Sequence, residues 1–474
     1  MNDSLDTCTS NFKSVSEQHS LQKFLISHKL VFLLSLVILG IFVFPNFRQM
    51  AFSDGLTAEN LPPATVGNRQ ASLFVKINPP ILISGQEQDT YALFRLFDAN
   101  TNQTIEHTTY QITITKGTSP DQRPLVNDFF HAHNGVLKLK IEPRPGELTI
   151  FGDRDPFQNA LVADPGGEVL IRGPLLLDGG LYHFHIEIFG IDNDRNIFKP
   201  EDAPKFDSYL SVGDVFKQNV TFNNTVYNTT LISYYDKIHN FKFDPTKLEV
   251  SWEMPFDWNV SRIKANNIFV HQEFRVPKNF TQFGNTTSFN ATVNGQPVLG
   301  RSLAIDPFSS ENALIIHYLL TKNDIIKLAE MGNVTSGSNN TMKFTLMPKG
   351  PEAKVSSTDL LTDTGGIRVT LLWTPNPPVA GSEAKLLLNL TDALTDSSLR
   401  ADVNYNLTIL DSSGKVIINK ENLVAVNGTS IQNLTFPESG RYQIEIYVNS
   451  LKYEGQAFID TSRKGVARGF VIVS

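Results

Sequence analysis

Ten histidines are spread over 474 residues, and four of them fall into two tight pairs. His131 and His133 flank one alanine. His183 and His185 flank one phenylalanine and are followed by Glu187. Side chains two apart on a strand leave on the same side. If Tyr182, Phe184, Ile186 and Ile188 form the apolar face of a strand, His183, His185 and Glu187 project together from the polar face. Two imidazoles and a carboxylate form a donor set suited to copper or zinc. The competing reading is a solvated polar face. The His131/His133 pair precedes an Asn134-Gly135 turn, and its reach towards the other pair is open at this stage. Downstream, Asp192, Asp194 and Asn196 place oxygen side chains at alternate positions, as a calcium loop begins. An EF-hand is excluded, because its sixth position is Ile197 where glycine is needed and its twelfth is Ala203. A looser calcium site would draw on Asp153, Asp155 or Asp164, while an Asx-rich turn is the plainer expectation.

Motifs of catalysis are missing. The chain has no G-x-S-x-G, H-E-x-x-H, P-loop or G-x-G-x-x-G. Paired carboxylates such as Glu201-Asp202 stand in no recognisable frame. The expectation is a protein that is not an enzyme, with no required cofactor.

The elements that must position these residues read as strands arranged in a repeat. Ile77–Ile114 and Pro375–Ile409 share Asn-Pro-Pro, a glycine turn, an alternating strand, an Asp-Ala turn and a Tyr-x-φ-Thr-Ile strand. The match continues through Asn134-Gly135 and Asn427-Gly428. It ends on DGGLYHFHIEI and ESGRYQIEI, which align Tyr182 with Tyr442. An acidic residue and a glycine just before such a tyrosine resemble the tyrosine corner of immunoglobulin-like sandwiches. Forty-eight residues separate Asn134 from Tyr182 and 15 separate Asn427 from Tyr442, so the first copy is longer by 33. The extra stretch includes 143–167, and long insertions on a β scaffold are where binding tends to sit.

The expected fold is therefore mostly β: two immunoglobulin-like sandwiches, 54–218 and 367–474, flank a middle β-rich domain at 219–350. A Pro/Gly/Ser/Thr-rich linker is expected at 351–366. Thr321–Met331 is expected to be a short helix capped by its threonine.

Composition narrows the setting. A net charge of −7 argues against nucleic-acid binding, which needs a basic face. Residues 30–44, LVFLLSLVILGIFVF, extend with neighbours to a 30–47 membrane segment, with Lys23 and Lys29 on the side expected to stay inside. A signal-anchor reading gives a cytoplasmic tail at 1–29 and leaves 54–474 outside in a single-pass membrane protein. The alternative is secretion after cleavage following Ser53, since Ala51 and Ser53 are small. The single cysteine, Cys8, precedes this segment, so the remainder has no internal disulfide. That remainder carries fourteen N-x-S/T sequons, at Asn102, Asn219, Asn223, Asn228, Asn259, Asn279, Asn285, Asn290, Asn333, Asn339, Asn389, Asn406, Asn427 and Asn433. After an export segment these are glycosylation candidates.

The MAFSDG that follows the apolar run, the cysteine-free repeats, the dense sequons and the run LYHFHIEIFGIDND resemble exported, membrane-anchored β-sandwich surface proteins of ammonia-oxidising archaea. The resemblance implies an archaeal cell surface rich in copper proteins. A cupredoxin ligand set is not available, because the exported part lacks cysteine. The functional expectation is recognition or scaffolding in the envelope, accessory to a membrane complex, with other envelope proteins or glycans as partners. The alternative is extracytoplasmic copper or zinc handling through a His-x-His strand, and a third reading is an envelope hydrolase.

Overall fold

The computed structural model describes residues 56–474, apart from 84, 118–122, 267, 287, 299, 333–339, 350–355 and 394. The expected tail and membrane segment lie outside the described residues. No helix among the described residues is long and apolar enough to cross a membrane. The described residues are mostly β, with five sheets and three large apolar cores within one compact unit, Ser53–Ser474.

The first core is closed by two sheets whose strands alternate as the sequence does. Arg69–Asn78, Tyr91–Asp98 and Val136–Pro143 are neighbours in one sheet. Val126–Ala132, Thr108–Lys116, Gly180–Gly190 and Lys205–Phe222 follow in order in the other. Along Gly180–Gly190, Tyr182, Phe184, Ile186 and Ile188 are buried in the core, while His183, His185 and Glu187 are half-buried on the other face. The C-terminal core repeats the plan. Ile367–Thr374, Glu383–Asp392 and Thr429–Thr435 are neighbours in one sheet. Val416–Ala425, Ala401–Leu410, Gly440–Tyr453 and Gly465–Val473 follow in order in its partner. Matched strand for strand, the two copies have the same order.

The tyrosine motif does the same job in each copy. The Tyr182 hydroxyl donates to the Asp178 carbonyl at 2.6 Å, and the Tyr442 hydroxyl donates to the Glu438 carbonyl at 2.9 Å. Both rings are buried. Each therefore ties the turn entering its strand to the core that holds the ring.

Between the copies lies a middle region with its own core, centred on Trp252, Trp258, Phe274 and Tyr318. Its junction with the first copy is not a linker. Lys205–Phe222 is a single 18-residue strand whose first half pairs with Gly180–Gly190 and whose second half pairs with Thr225–Ser233. The boundary expected at 218 thus falls inside continuous ladder. The pairing changes hands around Gly213, where an added Cβ would meet the Ile232 and Tyr234 side chains at 2.9 Å. The 351–366 linker is also corrected, from 356 onward. Asp359–Leu361 is a strand paired with Ile367–Thr374, and Ser357 Oγ accepts from the Phe470 N–H at 3.0 Å. Small polar residues here serve the sheet edge by hydrogen bonding to it, and composition alone does not separate that from a linker.

The expected helix forms as Lys322–Met331. Thr321 and Asp324 exchange hydrogen bonds in a capping box. Two shorter helical turns, Val260–Ala265 and Thr281–Gly284, are additional.

Candidate metal centre

Three neighbouring strands of the first copy end at one place. Thr109 lies opposite His131 on one side and opposite Gly190 on the other. His107 immediately precedes its strand, in a left-handed conformation with φ +50°, and its N–H donates to the His133 carbonyl at 2.9 Å. That bond sets His107 beside the His131/His133 pair. Asp194 arrives from the loop after Gly180–Gly190, anchored by the Asp192 N–H on the Glu106 carbonyl at 2.9 Å.

The donor atoms of these four residues converge. His107 Nδ1 lies 2.7 Å from Asp194 Oδ1, His131 Nε2 3.1 Å and His133 Nδ1 3.6 Å. His133 Nδ1 is 3.3 Å from His131 Nε2 and 3.4 Å from His107 Nδ1. Ligands bonded at about 2.0–2.1 Å to a tetrahedral ion stand about 3.3–3.4 Å apart. Three imidazoles and a carboxylate whose donor atoms all lie within 4.8 Å of one another, the two His133 contacts at that spacing, form a four-donor set. The electrostatics fit the cluster. Partial burial pushes the Asp194 carboxyl up, but the His107 hydrogen bond and the three nearby imidazoles hold it below the ordinary carboxylate range. Burial, reinforced by His133, pushes His131 below its ordinary value and favours the neutral ring that binds metal.

Behind the donors stands a polar chain. His131 Nδ1 lies 2.9 Å from Thr109 Oγ1, which donates to Gln158 Oε1 at 2.7 Å, while Gln158 Nε2 donates to the Asp194 carbonyl at 2.6 Å. Since Thr109 gives its proton to Gln158, its oxygen accepts from His131 Nδ1–H, leaving the Nε2 lone pair aimed at the cluster. Gln158 comes from the long insertion. Ala160–Val162 of the same segment adds a parallel strand beside Val126–Ala132, with Val162 opposite His131. The insertion thus builds the rear wall. Solvent reaches the front, where the His133 and Asp194 side chains are 54% and 51% exposed.

His183, His185 and Glu187 share a face as expected but do not form a donor set with the other pair. Their strand lies two strands away from His131, and His185 is about four residues further along the ladder, so the two pairs are on the order of 15 Å apart. Asp207 on the adjacent strand occupies the space between the two rings. Its Oδ1 lies 2.8 Å from His183 Nε2 and 2.9 Å from His185 Nδ1. Glu187 takes His185 Nε2 at 3.1 Å and Lys205 Nζ at 3.2 Å, and His183 stacks on Tyr209. Asp207 and Lys205 reach these side chains from the neighbouring strand, while His185 and Glu187 meet along their own. The hydrogen bond to Asp207 raises His185 above its ordinary value, and the two histidines hold Asp207 far below the carboxylate range.

The calcium-like loop does not gather either. Arg69 takes both carboxylate oxygens of Asp192, Asn196 Nδ2 donates to the Ile191 carbonyl, and Asp194 turns to the histidines. Asp155 and Asp164 cap turns through backbone N–H groups. The member that sequence reading missed is His107. The available signal was positional, since it stands just before the strand that pairs with the one carrying His131.

Ten of the twelve described sequon asparagines are exposed, and the other two, Asn259 and Asn406, are partly covered. Asn333 and Asn339 lie outside the described residues.

No protein-family model matches the chain, and no curated protein matches it. Among solved structures, a trypsin-activated alpha-2-macroglobulin from Escherichia coli aligns at 10% identity over 89% of this chain and 28% of its own length. Its TM-score is 0.17, so no fold or functional argument is drawn from it.

Proposed function

We propose that this chain is an extracytoplasmic metal-binding protein in which His107, His131, His133 and Asp194 hold one divalent transition-metal ion. The convergence of four donor atoms, with Thr109 and Gln158 fixing their orientation, carries the reading. Spacings near the tetrahedral value favour zinc by geometry. Copper(II) competes through its higher intrinsic affinity for nitrogen donors. The matching strand order and the paired tyrosine hydrogen bonds support immunoglobulin-like sandwiches for both copies. The 30–47 apolar segment and the exposure of most described sequon asparagines support a membrane-anchored, glycosylated protein of the cell envelope. Scaffolding or recognition there, accessory to a membrane complex, is the second reading, favoured by the strand Lys205–Phe222 that the first copy and the middle region share.

Calorimetric titration of the apo protein with Zn²⁺ and Cu²⁺ tests the assignment. The expected result is one solvent-accessible equivalent, weakened at least about tenfold in His133→Ala, whose exposed side chain contributes little to the core. His183→Ala with His185→Ala is expected to leave it intact. Unchanged binding in a His107→Ala, His133→Ala double variant with a native circular dichroism spectrum would overturn the assignment.

A further inference from the structure

A second set of metal-type side chains lies in the interior, where the middle region meets the C-terminal copy. His271 and Glu273 alternate on Phe269–Pro277, and His317 stands opposite Glu273 on Ala313–Thr321. This sheet has two buried faces. Val270, Phe274, Ile316 and Tyr318 turn into the middle core, while His271, Glu273 and His317 turn towards the C-terminal copy. There Leu319 packs with Leu361 and Ala393, and Gly365 approaches Phe269 so closely that an added Cβ would lie 2.5 Å from its ring. The three polar residues are each at most 1% exposed.

One donor atom from each lies within 4.8 Å of the others. His271 Nε2 and His317 Nδ1 are 3.2 Å apart, close to the separation of about 3.3 Å expected for two imidazoles on one tetrahedral ion. Tyr234 stacks on His271 with ring centroids 4.5 Å apart and planes 10° from parallel, which fixes the direction of that imidazole. Protein groups alone do not satisfy the cluster. Two neutral imidazoles share one hydrogen bond, and Glu273 Oε1 pairs with Arg275, yet Glu273 Oε2 has no partner. A carboxylate oxygen with no partner in a dry interior is costly.

The surrounding charge points the same way. Arg468 reaches Asp306 at 3.2 Å, and Asp363 and Glu445 at 3.4 Å. With Glu273 and Arg275 the group holds four carboxylates and two guanidiniums. Burial pushes the Glu273 and Asp363 carboxyls up, and a bound cation would favour their ionised forms.

We propose that His271, Glu273 and His317 form a second, closed zinc-type site that is filled as the middle region and the C-terminal copy come together. Since the three residues are sealed on both sides, this ion does not exchange in the folded chain. It therefore differs in kinetics from an ion at the solvent-facing cluster around His107.

The test uses the full-length chain, refolded with Zn²⁺, desalted, treated with excess EDTA and analysed for metal by mass spectrometry. The expected result is one zinc per chain that resists EDTA while the protein is folded and leaves on denaturation in urea. Its X-ray absorption spectrum is expected to show nitrogen and oxygen neighbours without sulfur. In His107→Ala, His133→Ala the resistant zinc is expected to persist. In His271→Gln, His317→Gln, and in the gentler Glu273→Gln, it is expected to be lost. Failure of the solvent-facing site would remove only the EDTA-labile equivalent. No resistant zinc in the refolded wild-type chain would overturn the proposal whether or not the variants fold. So would a resistant equivalent that survives the His271/His317 substitutions.

Discussion

At the level of single residues, the instructive contrast is between two His-x-His pairs that look alike in sequence. His183 and His185 sit mid-strand, where the adjacent ladder puts Asp207 and Lys205 opposite their face. His131 and His133 sit at a strand end, where loops can bring further donors. Alternation told correctly which face His183 and His185 would take. It could not supply Asp207 or His107, because each arrives through pairing between segments 22 or more residues apart. Two outcomes follow at this scale. Gln158→Ala removes the group that orients Thr109, and with it His131, so zinc affinity should drop about 10–100-fold by calorimetric titration with little change in thermal stability. The second concerns Asp207, whose carboxyl is depressed in the folded state. Its contribution is present above about pH 3.9 and is lost as pH falls through the lower folded value. His185 is raised, so its contribution is full below about pH 6.5 and is lost as pH rises through the folded value. The stability difference between wild type and Asp207→Asn, read from urea midpoints, should therefore be larger at pH 5 than at pH 8. Equal differences would count against the pairing.

At the level of elements, the repeat was legible because each copy keeps its turn residues and its tyrosine in order. The equal strand order confirms that the matched segments do matched work. The middle region was less legible. It has no second copy for comparison, and nothing in its sequence shows that the C-terminal copy covers His271 and Glu273 on Phe269–Pro277. Domain edges failed for a related reason. A strand that continues under a new partner leaves no mark in composition, and the serines at 356 and 357, which hydrogen-bond to a sheet edge, look like part of a tether. The tyrosine ties give a measurable pair. Tyr182→Phe and Tyr442→Phe each remove one hydroxyl bond to a turn carbonyl while keeping the ring buried. Each should cost about 0.5–1.5 kcal/mol in chemical denaturation, and similarly in the two copies.

At the level of the whole molecule, residues distant in sequence meet at a polar seam. Asn60 Nδ2 donates to Asp460 Oδ1 at 2.7 Å, Ser208 Oγ donates to Glu59 Oε2 at 2.9 Å, and Phe97 packs edge-on against Phe458. Glu59 retains a little contact with solvent, but protein surrounds most of it. Burial, only partly offset by Ser208 and Arg463, pushes its carboxyl up to about 7. An acid raised on folding holds its proton more tightly in the folded state. Its contribution is full below about pH 4.5 and is lost as pH rises through about 7. Glu59→Gln should flatten that part of the stability–pH profile and raise the melting temperature at pH 8 relative to wild type. A slope unchanged by the substitution would move the titrating group elsewhere.

The strand Lys205–Phe222 has a mechanical consequence. Eighteen residues at about 3.3 Å each make a strap about 60 Å long, held by hydrogen-bonded neighbours along both halves. Load applied along it at one end acts in shear on both ladders at once, with no slack segment to pay out first. In single-molecule stretching, the first copy and the middle region should yield in one step rather than two. A chain standing on an N-terminal anchor would then pass tension from its outer part towards the membrane as a stiff coupling.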